Sequence, residues 1–305
     1  RKTANCKLLS LRLAMMNEFL KLYQQRIQEA LTANLDKPGT PANLQEAIGY
    51  AVLGGGKRLR AAFVYLTCEA LEVDLSLADS SAIAVELLHA YSLIHDDLPA
   101  MDNDLLRRGL PTVHVKYGQA LAILAGVALQ AGAFQSIADD EMLSTAHRIQ
   151  LIHALAVAAG QQGMVAGQVL DMHHETVAAT EEQLITMHRG KTGALIEFCM
   201  LPACIIAKAD NETTEQLRYF GEIMGLAFQI RDDILDETGD SAILGKQAGA
   251  DRHRGKSTFV SILGLSSAQT KLEQLTTEAL KTIERLGSRG QGLRQLAHYV
   301  AGREY

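Results

Sequence analysis

From residue 78 to 97 the chain keeps an apolar helical pattern, and this pattern runs into "HDDLPAMDND", which places four aspartates within ten positions. A second apolar stretch, Ile223 to Ile230, leads into "RDDILD". Apolar helices bury their hydrophobic stripe, so both acidic ends are carried inward, toward one shared interior. Carboxylates gathered there without compensation would repel one another and lose hydration. The fold must therefore enclose a cavity in which positive charge meets them.

Composition decides what surrounds that cavity. Only 5 of 305 residues are proline, tryptophan is absent, aromatics make up 5% and hydrophobic residues 48%. Few helix breakers and few strand-favouring aromatics point to helix. Helical spacing recurs at 17–35, from Asn43 into "GGGKRLR", and at 60–71, 78–97, 119–138, 144–173, 181–208, 213–236, 257–264 and 267–286. Residues 99–118 read as irregular and 237–256 as a glycine-rich, charged loop. With no repeat and no long linker, the expected fold class is all-α: a single large helical bundle of about ten helices around a deep central cavity.

A formal net charge of −6 gives no nucleic-acid surface. Cys6, Cys68, Cys199 and Cys204 have no framework spacing and read as reduced residues of a cytoplasmic protein. No apolar run is read as reaching the roughly 18 residues that span a bilayer, so no stable membrane insertion is expected. Residues 1–16 carry four basic residues and no acid; they read as a tag, upstream or transit segment, leaving 17–305 as the domain.

Asp96 and Asp97 close the first helix, and Asp102 follows across a turn containing Pro99. Asp232, Asp233 and Asp236 lie in helix, where Asp232 and Asp236 share a face. One such cluster alone would read as a solvated helix end; two of them behind apolar helices read as ligands. Oxygen-only ligands suit Mg²⁺, which takes a few carboxylates and fills its shell with water and phosphate. The spacing lacks the alternating ligands of a calcium loop, and zinc would want cysteine. Cations supply the other half: Lys57, Arg58 and Arg60 follow three glycines, Arg107 and Arg108 follow the first acidic motif, Lys191 lies in "RGKTG", and Lys246 and Lys256 flank the late loop. Arginine suits bidentate phosphate contacts, and lysine acts as a point charge. "RGKST" at 254–258 is not a nucleotide-binding P-loop, because Gly249 is one place out of register and no strand precedes it.

In order, "GGKRLR", "HAYSLIHDDLPAMDNDLLRRGLPT", "GQVLD", "KTGALI", "FQIRDDILD", "LGKQAGAD" and "GKST" resemble the trans-polyprenyl diphosphate synthase family, and most closely its bacterial farnesyl diphosphate synthases. The resemblance covers nearly the whole chain from about residue 17. It implies the isoprenoid synthase fold, a homodimer, more than one Mg²⁺ ion, and head-to-tail condensation of isopentenyl diphosphate with dimethylallyl or geranyl diphosphate to a C15 product and diphosphate.

By the same resemblance Asp96, Asp102 and Asp232 hold metal, with Asp97, Asp233 and Asp236 assisting. Lys57, Arg60, His89 and Arg108 bind isopentenyl diphosphate. Arg107, Lys191, Lys246 and Lys256 hold the allylic diphosphate, and Thr192 and Gln229 face the allylic cation. Ser92 is one turn back from Asp96, and Tyr91 lies five residues back, about 7.5 Å along the axis, so the Tyr91 ring should meet a growing chain early. Helix geometry does not explain the part given to His89, which also reads as a core histidine. His95 and Asp171 read either as support for the site or as packing.

The chain departs from the family at Val127 in "AGVAL", where an acid is usual, at Ala61, where proline is usual, and at Leu105. The lost acid could remove support for a basic residue. Three alternatives stand beside the main reading. A geranylgeranyl diphosphate synthase would differ in product length. A class I terpene cyclase would have no need of "GGKRLR". A non-catalytic prenyltransferase subunit would be expected to lose acidic motifs, and both are intact.

Overall fold

A computed structural model describes residues 2–238 and 256–303, with side chains from residue 18 onward. The architecture is all-α, as expected. The one sheet among the described residues is a two-residue antiparallel pair, β1 (Leu106–Arg107) and β2 (Leu110–Pro111).

Helix α1 (Lys2–Leu35) begins earlier than the helical pattern expected from residue 17. It packs on α2 (Ala42–Leu53), α3 (Leu59–Ala70) and α4 (Asp79–Asp96) through Leu20, Tyr23, Ile27 and Leu31, each at most 1% exposed. Spacings of three and four along one stripe explain that burial. Helix α4 is buried almost all round and packs on α3 and on α6 (Gln119–Ala138). The one-turn α5 (Val113–Tyr117) leads into α6, α7 (Thr145–Ala159) follows, and α8 (Met164–His174) comes after a glycine break. That break, Gly160 to Gly163, divides the single helix expected over 144–173.

Helix α9 (Glu181–His188) passes through a π-helical turn at Arg189–Gly193 into α10 (Ala194–Ala207), which lies beside the long α11 (Asn211–Thr238). Helices α12 (Phe259–Leu263) and α13 (Leu265–Thr282) build a smaller apolar cluster against α9 and α11 around Phe259 and Ile230. The last helix, α14 (Gln291–Gly302), is one that the sequence pattern did not announce; it buries Leu293, Leu296, Ala297 and Val300 against the main core.

The reading of apolar run length needs correction. Three stretches, Leu75–Asp96, Gln119–Ala138 and Glu181–Ala207, are long and apolar enough to cross a bilayer by length and composition. The glycines and alanines within them are small and uncharged, so they leave mean hydropathy high. In the fold these stretches pack against other helices, with 67%, 39% and 56% of their apolar windows buried.

Candidate active site

A cavity of about 600 Å³ opens in the middle of the bundle. Asp96 at the end of α4 and Asp232 on α11 both line it, so the two acidic motifs face one interior. Arg60, His89, Tyr91, Ser92, Arg107, Arg108, Lys191, Thr192 and Gln229 line it as well. Lys246 lies outside the described residues.

Within each motif the acids divide their work. The Asp102 N–H donates to the Asp96 carbonyl at 2.9 Å, which folds the loop back on the helix end. Asp97 turns into the wall at 3% exposure, where both of its oxygens accept from Arg107 Nε at 2.9 and 3.0 Å. On α11, Asp233 is likewise buried, accepting from the Phe259 N–H at 2.8 Å and from Gln229 Nε2 at 3.0 Å. Asp236 borders a small separate pocket with Asp233, Glu237 and Lys256. Asp97 and Asp233 thus aim neighbours: Asp97 fixes Arg107, and Asp233 fixes the Gln229 amide. The Gln229 oxygen is left facing Thr192, whose hydroxyl donates to it at 3.4 Å.

Lys191 and Thr192 reach the cavity because of the π turn. An extra residue per turn rotates the side chains that follow it, and glycines let the turn sink between its neighbours. A Cβ on Gly167 of α8 would stand 1.9 Å from the Lys191 nitrogen, and one on Gly225 of α11 would stand 2.6 Å from Gly193 Cα. Lys191 donates to Asp171, and Lys256 lies 3.8 Å from the same carboxylate, 3.3 Å from Asp102 and 3.6 Å from Glu175. Burial alone would raise Asp171, but Lys191 and Lys256 hold it below the ordinary carboxylate range. Asp171 is therefore a shared anchor for two lysines.

The glycine-rich approach to α3 works by conformation. Gly55 and Gly56 have φ of +91° and +123°, and a Cβ on Gly56 would stand 2.8 Å from the Arg108 guanidinium. Arg108 donates to the Gly55 carbonyl. Across the tight turn between β1 and β2, Arg108 and Gly109 have φ of +54° and +76°, a pairing that suits a two-residue hairpin. This hairpin presents Arg107 and Arg108 together. Arg58, grouped with the phosphate-facing cations by sequence, instead points into the core and pairs with Glu86 at 3.2 Å. Burial pulls Lys57 down to about 8, with Arg303 adding to the effect and Asp232 opposing it. Burial also holds His89 well below the usual histidine range, reinforced by Arg60, Arg108, Arg107 and Arg58, so its imidazole is neutral.

One partner of a cavity carboxylate comes from outside the motifs. Arg303, just past α14, donates to Asp232 at 2.6 Å and lies 3.8 Å over the Phe228 ring. The Gln168 Nε2 and the Arg60 Nε are buried without a hydrogen-bond partner. The spacing of Leu293, Leu296, Ala297 and Val300 could have revealed α14, but nothing local pointed to Arg303 meeting α11. Val127 is 51% exposed on α6, beside Ile123 and Leu124, and so forms part of an outer apolar face. Ala61 is fully buried and donates its N–H to Glu86 at 3.2 Å, a bond that proline could not make. Leu105 is 62% exposed.

Among the described residues no three acids, histidines or cysteines form a preassembled cage. The cavity nonetheless fits a hard divalent cation. Burial pushes Asp96 up to about 6, partly opposed by Lys191, and Asp232 is also raised by its depth, against the pull of Arg303. Carboxylates under that strain gain from a cation, and a few of them from two helices leave coordination positions for phosphate and water. Arg60 and Gln168, each with a buried nitrogen that has no hydrogen-bond partner, line the same cavity.

Fold and cavity together define an all-α protein built around a reaction chamber lined by acids and cations. The chain belongs to the polyprenyl synthetase family, whose model matches residues 41–288. It is 40% identical over 292 residues to the farnesyl diphosphate synthase of Geobacillus stearothermophilus, covering 95% of this chain and 98% of that one. It is 46% identical over 264 residues to the Escherichia coli farnesyl diphosphate synthase, covering 85% and 88%. A Helicobacter pylori geranyltransferase structure, described as complexed with magnesium and isoprenyl diphosphate, superposes with a TM-score of 0.81 at 33% identity, covering 93% of this chain and 96% of that one.

Proposed function

We propose that the protein is a Mg²⁺-dependent farnesyl diphosphate synthase, joining isopentenyl diphosphate head-to-tail to dimethylallyl or geranyl diphosphate. The observation that carries this reading is that Asp96 and Asp232 line one cavity, each beside its own set of cations. Asp96, Asp102 and Asp232 would hold the metal ions, more than one of them. Bound there, Mg²⁺ would neutralise the allylic diphosphate and favour its departure.

The chain's own groups do the rest. Arg107, Lys191 and Lys256 meet the allylic diphosphate, with Arg107 set by Asp97 and the lysines by Asp171. Lys57, Arg60, Arg108 and neutral His89 receive isopentenyl diphosphate. The Thr192 hydroxyl and the Gln229 oxygen lie where the allylic cation would form; they offer dipoles, while the apolar walls exclude water that would quench the cation. The double bond of isopentenyl diphosphate adds to that cation, and the proton lost afterwards passes to the released diphosphate. Tyr91 and Ser92 line the wall behind Asp96 and would limit the product to C15.

A homodimer goes with this reading. Ile123, Leu124 and Val127, three and four residues apart on α6, are 46%, 59% and 51% exposed, an apolar face suited to a second copy. Incubation with isopentenyl and dimethylallyl diphosphates should give a C15 product with Mg²⁺ and none after chelation, read by chromatography. Asp96→Ala should lower turnover by about 100-fold or more, the scale expected when charge stabilisation of a leaving group is lost. Retained turnover would contradict the metal assignment.

A further inference from the structure

Glu86 is a buried carboxylate that the roles above leave unused. It lies on α4 one turn before His89 and is 3% exposed. One of its oxygens accepts from the Arg58 guanidinium at 3.2 Å, and the other from the Ala61 N–H at 3.2 Å in the first turn of α3. Arg58 is held from two further sides, donating to Gln28 at 3.1 Å and to the Val52 carbonyl. It also keeps a left-handed φ of +51° just before α3. A long side chain adopts that conformation only where its surroundings over-determine it. With Arg58 turned into the core, Arg60 lines the cavity.

Electrostatics converge on the same carboxylate. Arg58, Arg60, Arg107 and Arg108 all act on His89, and Arg60, Arg107 and Arg108 line the cavity beside it. Glu86 offsets the charge on Arg60 and Arg108 as well as bonding Arg58. Guanidiniums placed this closely repel one another, and a fixed anion behind them lets them stay together before a ligand arrives.

We propose that Glu86 is a positioning residue for the isopentenyl diphosphate site, clamping Arg58 and the start of α3 so that Arg60 and Arg108 stand ready for the anion. The inference rests on the assignment of this cation wall to isopentenyl diphosphate. Glu86→Gln preserves shape but removes the charge and one acceptor, so either Arg58 or the Ala61 N–H loses its partner. Two effects then oppose each other: the wall becomes more positive, and it loses order. Order dominates, because a preorganised anion site binds without first rearranging its donors.

The test measures KM for each substrate and equilibrium binding of isopentenyl diphosphate by calorimetry in Mg²⁺ without allylic substrate. Glu86→Gln should weaken isopentenyl diphosphate binding and raise its KM five- to tenfold while leaving the allylic KM within twofold. Arg58→Gln, which breaks the same contact from the other side, should do likewise and serves if Glu86→Gln does not fold. The double variant should be no worse than the poorer single one, and Glu86→Asp should restore part of the loss. Unchanged or tighter isopentenyl diphosphate binding, or an equal rise in both KM values, overturns the inference. Arg60→Gln separates the two levels: if it leaves isopentenyl diphosphate binding intact, the assignment of the wall itself fails.

Discussion

Tyr91 meets the His95 ring edge-on, with centroids 4.9 Å apart, and His95 in turn contacts the Ile123 carbonyl at 3.2 Å. A Cβ on Gly126 would fall 2.2 Å from His95 Nε2, so the glycine in "AGVAL" is what lets His95 seat behind the tyrosine. The ring is thereby braced where a lengthening chain would strike it. Tyr91→Ala should shift the products from C15 toward C20 in chromatographic analysis, with a stability cost of about 1–3 kcal/mol for the lost packing. A strict C15 limit in that variant would rule out the tyrosine as floor. Helix spacing placed Ser92 on this wall, because i to i+4 geometry is local, whereas for Tyr91 it gave only the depth below Asp96. It could not tell that Arg58 turns inward while Arg60 faces the cavity. That outcome depends on Glu86, which comes from a different helix.

The π turn carries the same lesson at the scale of an element. "RGKTG" was legible as a basic motif flanked by glycines, but its shape was not, since Gly167 and Gly225 belong to helices distant in sequence. Gly167→Ala would drive a methyl into the Lys191 backbone. The turn must then shift, and overpacking of this kind costs about 1–3 kcal/mol. The expected result is a lower melting temperature together with a raised allylic KM, because Lys191 and Thr192 move with the turn. A variant with wild-type kinetics would mean that the turn does not set those two side chains. The split of 144–173 into α7 and α8 was hidden for a related reason: periodicity runs on through Gly160–Gly163, and only packing decides where a helix stops.

At the scale of the molecule, the outer face of α6 leaves Ile123, Leu124 and Val127 exposed. If the proposed homodimer forms through this face, Leu124→Glu places a charge on it and should give monomer in sedimentation or light scattering. A dimer that persists would locate the interface elsewhere. The all-α class and the common interior for both acidic motifs were legible because they follow from helix periodicity and from the cost of burying charge. The last helix went unannounced although Leu293, Leu296, Ala297 and Val300 carry its spacing; what stayed illegible was where it would dock. Yet that helix delivers Arg303, which is 5% exposed and bonded to Asp232, while its own carbonyl accepts from Arg231 Nε at 2.8 Å. The segment just past α14 is in this way stitched to Asp232 on the cavity wall. Clipping before Arg303 should leave the fold standing yet strip a resident cation from Asp232, so such damage would register in a titration as an altered Mg²⁺ requirement and not as melting.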